Sequence, residues 1–245
     1  MPAVEPTLSC TDFNALSVLY AHDDFLLVYK PAGLGFHREG DEAGVMDLLR
    51  AQHEGALYPL HRLDRITSGL LLVARSSGAA RGFGERFATR GLEKFYLALS
   101  ARKPAKKQGT IAGGMQSGRG GNWLLTRDTA NYAVTQFFSY GLGDGLRGFL
   151  LRPRSGRTHQ LRVALKSVGA PILGDTRYGG DAADRGYLHA YALRFEWAGT
   201  DWAFRLLPGS GTQWPTAWPE VAVPDLQSPW DLPWPVTRDP HPKSA

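Results

Sequence analysis

The sequence predicts an α+β fold in which a mainly antiparallel mixed sheet is flanked by a few helices. Most strand-like segments come in pairs joined by short turns, the arrangement of antiparallel hairpins. No repeat or linker divides the 245 residues, and 43% hydrophobic residues can supply a substantial core. We therefore expect one main domain, residues 18–208, between an N-terminal leader, residues 1–17, and a C-terminal extension, residues 209–245.

The chain opens with an irregular leader followed by a hairpin. Residues 1–17 show no hydrophobic period, whereas residues 18–20 and 25–29 are predicted as two short strands. Apolar residues at helical spacing predict a short helix over residues 44–52. These elements precede the most informative stretch of the chain.

That stretch, residues 60–69, places a single carboxylate, Asp64, between Arg62 and Arg65. Residues 69–74 follow with the length and continuous apolar character of a strand covered on both faces. A polar loop held by such a strand suits a reacting group, because the scaffold fixes its geometry. The residues alone leave two interpretations open: a reacting carboxylate oriented by an arginine, or a carboxylate that braces the loop.

Two further elements follow the buried strand. Ser76 or Ser77 can cap a helix that ends near Gly91. The strand at residues 93–100 alternates, so Lys94 and Tyr96 are predicted on the face opposite to its apolar side chains. We therefore expect Tyr96 to be an aromatic side chain on an exposed strand face.

The middle of the chain contains a glycine-rich segment and a hairpin. Residues 109–121 hold six glycines, which predicts a mobile excursion that cannot pack a core. The segment contains no phosphate-binding glycine motif. Residues 132–139 and 147–151 are predicted as the two strands of a hairpin.

A second informative stretch, residues 154–169, predicts a helix capped by Thr158 and ended by Gly169. Its helical spacing separates an apolar stripe (Leu161, Ala164, Leu165 and Val168) from a polar stripe (His159, Arg162 and Lys166). The turn that opens the helix gathers basic side chains suited to an anion: Arg154, Arg157, His159 and Arg162.

The remainder of the chain is predicted as a loop, a hairpin and an extension. Residues 172–186 have no period, and residues 188–197 and 202–207 alternate as paired strands. The extension is rich in Pro and Trp, and its tryptophans are expected to lie along the body of the protein. Its last eight or so residues are expected to be disordered.

The charge distribution favours a polyanionic partner, although a solvated basic surface remains an alternative. The net charge is +5 and the pI is near 9.4. Residues 61–107 contain eleven Lys or Arg and three acids, and residues 147–185 contain eight Lys or Arg and three acids.

No membrane span or signal peptide is evident, so we expect a cytoplasmic protein. The histidines lack a third ligand at metal-binding spacing, and no metal is expected.

Two motifs resemble those of RluA-type pseudouridine synthases. His61–Gly69 resembles the family signature HRLDxxTSG, and Arg157–Val163 resembles its RTHQ[IL]RV motif. Smaller landmarks follow in the family's order: Lys30–Gly33, Lys94–Tyr96, Gly169–Asp175 and Leu188–Ala190. The resemblance spans about residues 18–208 and implies the pseudouridine synthase catalytic-domain fold.

The resemblance implies a role for each matching residue. Asp64 corresponds to the aspartate that attacks the target uridine nucleotide, Tyr96 to the tyrosine that stacks on the base, and Arg162 to the residue that pairs with the aspartate. Base extrusion in a positively lined cleft agrees with these residue types. Further candidates for RNA or substrate contact are Arg62, Arg65, Lys94, Arg157, His159 and Leu188, the last as an apolar pocket floor.

The implied activity is isomerisation of uridine to pseudouridine in a structured ribosomal or transfer RNA, without cofactor or metal. No protein partner is evident, and a monomer is expected. Two alternatives remain at this point: a catalytically silent RNA-binding protein with the same fold, and a nucleosidase-like hydrolysis that releases the base. Ala164 stands where the family usually has a histidine, and Gly35–His37 follows the family pattern loosely. These departures concern the identity of the RNA more than the chemistry.

Overall fold

The computed structural model describes residues 3–236, and in them the chain forms a mixed α+β structure. This confirms the predicted fold class. The described residues fold into two compact units: unit 1 is residues 3–97 with 184–214, and unit 2 is residues 98–183 with 215–236. Each unit is described by itself below. The predicted domain boundaries at residues 17 and 208 stay predictions.

The elements of unit 1 are, in order, β1 (Ser17–Ala21), β2 (Phe25–Lys30), α1 (Val45–Gln52), β3 (Tyr58–Pro59), β4 (Thr67–Ala74), α2 (Ser77–Ala88), β5 (Leu92–Ser100), β10 (Leu188–Trp197) and β11 (Thr200–Arg205). The last residues of β5 belong to unit 2. The other elements of unit 2 are β6 (Gln108–Ser117), β7 (Trp123–Thr126), β8 (Ala133–Gly143), β9 (Leu146–Pro153), α3 (Gln160–Ser167) and α4 (Val223–Gln227). Short 3-10 turns occupy Arg119–Gly121 and Thr176–Tyr178.

Strand β4 is the central strand of unit 1. It pairs antiparallel with β2 over residues 69–74 and parallel with the start of β10 over residues 67–69, and β10 continues into an antiparallel pair with β11. All eight residues of β4 are buried, as its continuous apolar sequence predicts. Helix α2 packs a fully buried Phe83 onto this core, where its ring is stacked on Trp197 with 4.0 Å between ring centroids. The strand that follows Asp64 is thus anchored on both faces.

Gly69 permits the close parallel contact between β4 and β10. Its φ of +112° lies in the region that favours glycine, and a Cβ there would stand 2.3 Å from the carbonyl oxygen of Ala190. The glycine of the His61–Gly69 motif is therefore explained by backbone packing.

The glycine-rich segment of unit 2 is ordered, so the prediction of an excursion that cannot pack is wrong. Residues 108–117 form β6, which pairs antiparallel with β8 over residues 108–113 and with β7 over residues 114–117. A Cβ at Gly114 would lie 2.0 Å from the Asp128 carboxylate. Close packing against a neighbouring loop, rather than conformational freedom, accounts for glycine at that position.

Helix α3 begins one residue later than the predicted cap. Its N-terminal flanking residue is His159, which adopts a left-handed backbone conformation with φ of 55°, so the prediction of Thr158 as the cap is wrong. The Gln160 side chain closes this turn: its oxygen accepts from the Ser155 hydroxyl at 2.8 Å and from the Arg157 N–H at 3.0 Å. The predicted apolar stripe is buried at Leu161, Ala164 and Leu165.

The C-terminal segment packs onto unit 2. Trp234 lies 4.9 Å from the ring of Phe138, its indole N–H donates to the Pro229 carbonyl at 2.7 Å, and the Gln136 amide donates to the Pro235 carbonyl. The tryptophan contacts agree with the prediction that the extension lies along the protein. The predicted disorder of the last eight or so residues falls outside the described part of the chain.

None of the helices within residues 3–236 has the length and apolar character needed to cross a membrane.

Substitution of Gly69 by alanine is expected to lower the free energy of unfolding by at least about 2 kcal/mol, because the new Cβ meets the Ala190 backbone at an unfavourable φ. Urea unfolding measures the change. The control is Gly84→Ala on the exposed side of α2, where no atom lies within 4 Å of the new Cβ. That variant should gain about 1 kcal/mol from helix propensity. Equal stabilities of the two variants would contradict the packing argument.

Candidate active site

Asp64 lies at the turn that leads into β4. Its carbonyl oxygen accepts from the Thr67 N–H at 2.9 Å, which closes a turn over residues 64–67, and its side chain is half-buried. The preceding Leu63 is buried at 5% exposure and anchors the other side of the loop. The carboxylate is therefore carried by a short turn between two buried attachment points.

Lys30, at the end of β2, connects this turn to β2 through hydrogen bonds. Its side chain is fully buried, and the ammonium donates to the carbonyls of Pro31 at 2.8 Å, Thr67 at 2.7 Å and Arg65 at 3.4 Å. Burial lowers the pKa of Lys30 to about 7, while the charge of Asp64 acts in the opposite direction. Lys30 was not predicted as a site residue; the Lys30–Gly33 landmark was the only signal for it.

The Arg65 side chain forms ion pairs with two glutamates of the loop that precedes α1. Its exposed guanidinium donates to Glu39 at 2.8 Å and to Glu42 at 2.6 Å, and these hydrogen bonds raise the pKa of Arg65. Arg62 is also exposed. These ion pairs connect Arg65 to the loop that carries Glu39 and Glu42, and its contact with RNA stays a prediction.

Tyr96 lies on β5 and is buried, with 8% of its surface exposed, so the prediction of an exposed face for this side chain is wrong. Alternation along β5 indicated a polar face, but every residue from Phe95 to Ser100 is buried. Burial raises the pKa of Tyr96, and the charge of Asp64 raises it further. The fold thus places Asp64 and Tyr96 close enough to interact electrostatically.

Lys94 and His61 belong to a half-buried cluster beside Phe87. The Lys94 ammonium lies 5.3 Å from the centroid of the Phe87 ring, and burial lowers the pKa of Lys94 to about 8. Nε2 of His61 accepts from the Leu72 N–H at 3.1 Å, and burial lowers the pKa of His61 to about 3. His61 therefore braces β4 through this hydrogen bond.

A buried hydrogen-bond chain joins β4 to β10. Nε2 of His189 lies 2.8 Å from the Leu206 carbonyl, which can only accept, so Nε2 carries the proton and Nδ1 accepts from the Ser68 hydroxyl at 2.8 Å. The Ser68 oxygen in turn accepts from Arg185 at 2.7 Å. The predicted pocket-floor residue Leu188 is buried beside them, paired with Thr67. Ser68, Arg185 and His189 were not predicted from the sequence.

Unit 2 carries the third predicted catalytic residue, Arg162. Its guanidinium is buried and makes a two-point ion pair with Asp175, with Nε–Oδ2 and Nη2–Oδ1 distances of 2.7 and 2.8 Å. His159 lies at the start of the same helix, and the exposed Arg157 precedes it. The pairing of Arg162 with Asp64 stays a prediction.

Within residues 3–236, no three or more His, Cys, Asp or Glu side chains are grouped so that they could hold a metal ion.

The family to which the chain belongs is shown by comparison with known proteins. The family model described as RNA pseudouridylate synthase matches residues 24–167. The chain therefore belongs to the RNA pseudouridylate synthase family, within its RluA branch. It is an isomerase that converts uridine to pseudouridine in RNA.

Individual relatives agree with this membership. A Haemophilus influenzae protein named as an RNA pseudouridine synthase is 41% identical over 213 residues, which cover 85% of this chain and 95% of the relative. Ribosomal large subunit pseudouridine synthase C of Escherichia coli is 34% identical, covering 83% of this chain and 69% of the relative. The solved human protein RNA Pseudouridylate Synthase Domain Containing 1 superposes with a TM-score of 0.68 at 25% identity, covering 90% of this chain and 98% of the human one.

The pH dependence of stability should report the buried His189. Burial lowers the pKa of His189 from 6.5 to about 3, so between these pH values the unfolded chain binds a proton that the folded chain does not. His189 should therefore lower the free energy of unfolding by up to about 1.4 kcal/mol for each pH unit below about 6.5, and His61, whose pKa is lowered in the same way, adds a second contribution of the same sign.

Urea unfolding between pH 4 and pH 7 measures this slope. His189→Gln should reduce this slope by the contribution of one proton, which is up to about 1.4 kcal/mol per pH unit. His37→Gln, at an exposed position, should leave the slope unchanged. A His189→Gln variant with the wild-type slope would show that His189 does not contribute to it.

Proposed function

We propose that this protein modifies uridines in a structured ribosomal or transfer RNA and that Asp64 is its nucleophile. The observation that carries the proposal is the Asp64 turn, which is held by Lys30 and placed beside the buried Tyr96. The names of the relatives support the substrate class: one is a ribosomal large subunit enzyme of Escherichia coli, and another is tRNA pseudouridine synthase C of Haemophilus ducreyi, 32% identical over 189 residues. The expectations of a cytoplasmic location and a monomer stay predictions.

The proposed chemistry begins with the Asp64 carboxylate. It attacks the ribose C1′ of the target nucleotide and the C1′–N1 bond breaks, or it prompts loss of the base without a covalent bond. C5 of the uracil then bonds to C1′, and any bond between Asp64 and C1′ breaks in that step, which frees the carboxylate. The proton on C5 must leave in the last step. Anchoring on both sides of the Asp64 turn supports this role, because a nucleophile that is held in place avoids the entropic cost of orientation.

Tyr96 is proposed to stack on the target base. Burial and the Asp64 charge both raise the pKa of Tyr96, so the neutral phenol is favoured while Asp64 is ionised. A covalent bond between Asp64 and the sugar would remove that negative charge and one of the two causes of the raised pKa. Loss of that charge would make the Tyr96 phenol easier to ionise, and the phenolate is the form that can accept the C5 proton late in the reaction.

The remaining candidates are proposed to contact RNA around this site. Arg62 and Arg157 are exposed cations, and His159 is half-exposed at the turn before α3. Arg162 is proposed to enter the space left by the extruded base. Lys94 is half-buried against Phe87, so less of its side chain than of Arg62 or Arg157 is accessible to RNA.

Asp64→Asn is expected to abolish pseudouridine formation in bulk bacterial RNA, because an amide is a far weaker nucleophile than a carboxylate. Chemical labelling and sequencing of pseudouridine measures product, and release of free uracil is assayed in parallel. Asp144→Asn is the control: Asp144 is exposed in the β8–β9 turn at φ of 46°, a conformation that asparagine tolerates.

Equal pseudouridine maps from wild type and Asp64→Asn would reject the proposed nucleophile. Free uracil in place of pseudouridine would indicate hydrolysis. RNA binding with no modification by the wild type would indicate a catalytically silent protein.

Binding to RNA is expected to weaken steeply with ionic strength, because each neutralised phosphate releases counterions. Arg157→Ala should reduce the slope of log K against log salt by about one. Arg50→Ala, an exposed substitution on α1, is the matched control and should leave the slope unchanged. Filter binding between low and moderate salt measures both variants, and an affinity that does not depend on salt would contradict a basic RNA-binding surface.

A further inference from the structure

Two residues that the proposed chemistry leaves without a role converge on Arg162. The Asp175 carboxylate binds the Nε–Nη2 edge of the guanidinium through two hydrogen bonds of 2.7 and 2.8 Å. Both side chains are buried, with 6% of Arg162 and 2% of Asp175 exposed. A two-point contact of this kind fixes the direction of the guanidinium within its own plane.

Tyr178 restrains the same group from a second direction. Its ring centroid lies 4.8 Å from the guanidinium carbon of Arg162. Asp175 precedes the 3-10 turn Thr176–Tyr178, in which side chains three residues apart lie one above the other, so both partners are supplied by one turn of chain. The carboxylate sets the in-plane direction of the guanidinium, and the ring supports one of its faces.

The Tyr178 hydroxyl ties this arrangement to two neighbouring segments. It accepts from the Trp123 N–H at the start of β7 at 2.9 Å and lies 2.7 Å from Nδ1 of His159. The Lys166 ammonium lies 5.7 Å from the same ring centroid. Tyr178 therefore contacts every member of the polar stripe predicted for this helix, namely His159, Arg162 and Lys166.

A buried ion pair is a poor means of gaining stability, since desolvation offsets most of the attraction. What this pair supplies is orientation of a long side chain that would otherwise sample many rotamers. We propose that Asp175 and Tyr178 are positioning residues that hold the Arg162 guanidinium in the orientation its role requires. This inference rests on the proposed function, because it concerns the placement of a residue assigned there.

Steady-state kinetics of pseudouridine formation in RNA tests the inference. Asp175→Asn should lower kcat about tenfold or more while the KM for RNA changes less than about threefold, because the guanidinium is misplaced but the RNA-binding surface remains. Tyr178→Leu should act in the same direction. Tyr178→Phe keeps the ring under Arg162 and should retain kcat within about threefold, even if its melting temperature falls. Asp201→Asn, which breaks the Arg194–Asp201 ion pair of the β10–β11 hairpin, is the matched control and should retain wild-type kcat.

A spectroscopic readout separates orientation from stability. The ¹H–¹⁵N NMR signal of the Arg162 Nε group, identified by its absence in Arg162→Lys, should shift in Asp175→Asn and persist near its wild-type position in Asp201→Asn. If Asp175→Asn does not fold, Asp175→Glu takes its place, and the displaced carboxylate should lower kcat and shift the same signal.

The outcomes separate the two proposals. An active wild type together with Asp175 and Tyr178→Leu variants of unchanged kcat would overturn the inference and leave the proposed function standing. A wild type that forms no pseudouridine would instead overturn the proposed function. A tenfold loss of kcat in Tyr178→Phe, equal to that in Tyr178→Leu, would show that the hydroxyl rather than the ring is what matters and would overturn the role assigned to the ring.

Discussion

The candidate site depends most directly on the hydrogen bonds that the buried ammonium of Lys30 donates. It joins the end of β2 to the turn that carries Asp64 by donating to the carbonyls of Pro31, Arg65 and Thr67. Hydrogen bonds to a charged group are typically worth about 1.5–3 kcal/mol each, and they offset the cost of burying the charge. Because the acceptors are backbone atoms, Lys30 ties the chain that directly follows Asp64 to the end of β2. The position of the Asp64 turn is therefore set by the core strands.

The same principle recurs where other charged and polar groups are buried. In unit 1, Arg185, Ser68 and His189 form a hydrogen-bond chain behind β4, and in unit 2 Asp175 and Tyr178 surround Arg162. Buried polar networks of this kind are costly when one member is missing and rigid when all members are satisfied. Both networks lie next to residues proposed to act on RNA, so rigidity is placed where the chemistry needs defined geometry.

Patterns within short segments predicted much of the fold. The continuous apolar run of β4, the hairpins β8–β9 and β10–β11 and the stripes of α3 follow from local period, and the structure has them within a few residues of the predicted bounds. Two predictions failed for one physical reason. Glycine content suggested that residues 109–121 could not pack, and alternation suggested that Tyr96 was exposed, but each outcome depends on which neighbour covers the segment.

The sequence by itself determined the fold class, the position of Asp64 before a buried strand, and, through two motifs, membership of a family of RNA-modifying enzymes. Only the tertiary structure decided the partners of the charged groups. Lys30 meets Thr67, Arg65 meets Glu39 and Glu42, and Arg162 meets Asp175, across separations of 13 to 37 residues. Such pairings leave no periodic trace in the sequence, because they depend on which loops the folded sheets bring together. For that reason the motif is enough to propose Asp64 as the nucleophile, whereas the residues that hold its turn in place could not be predicted.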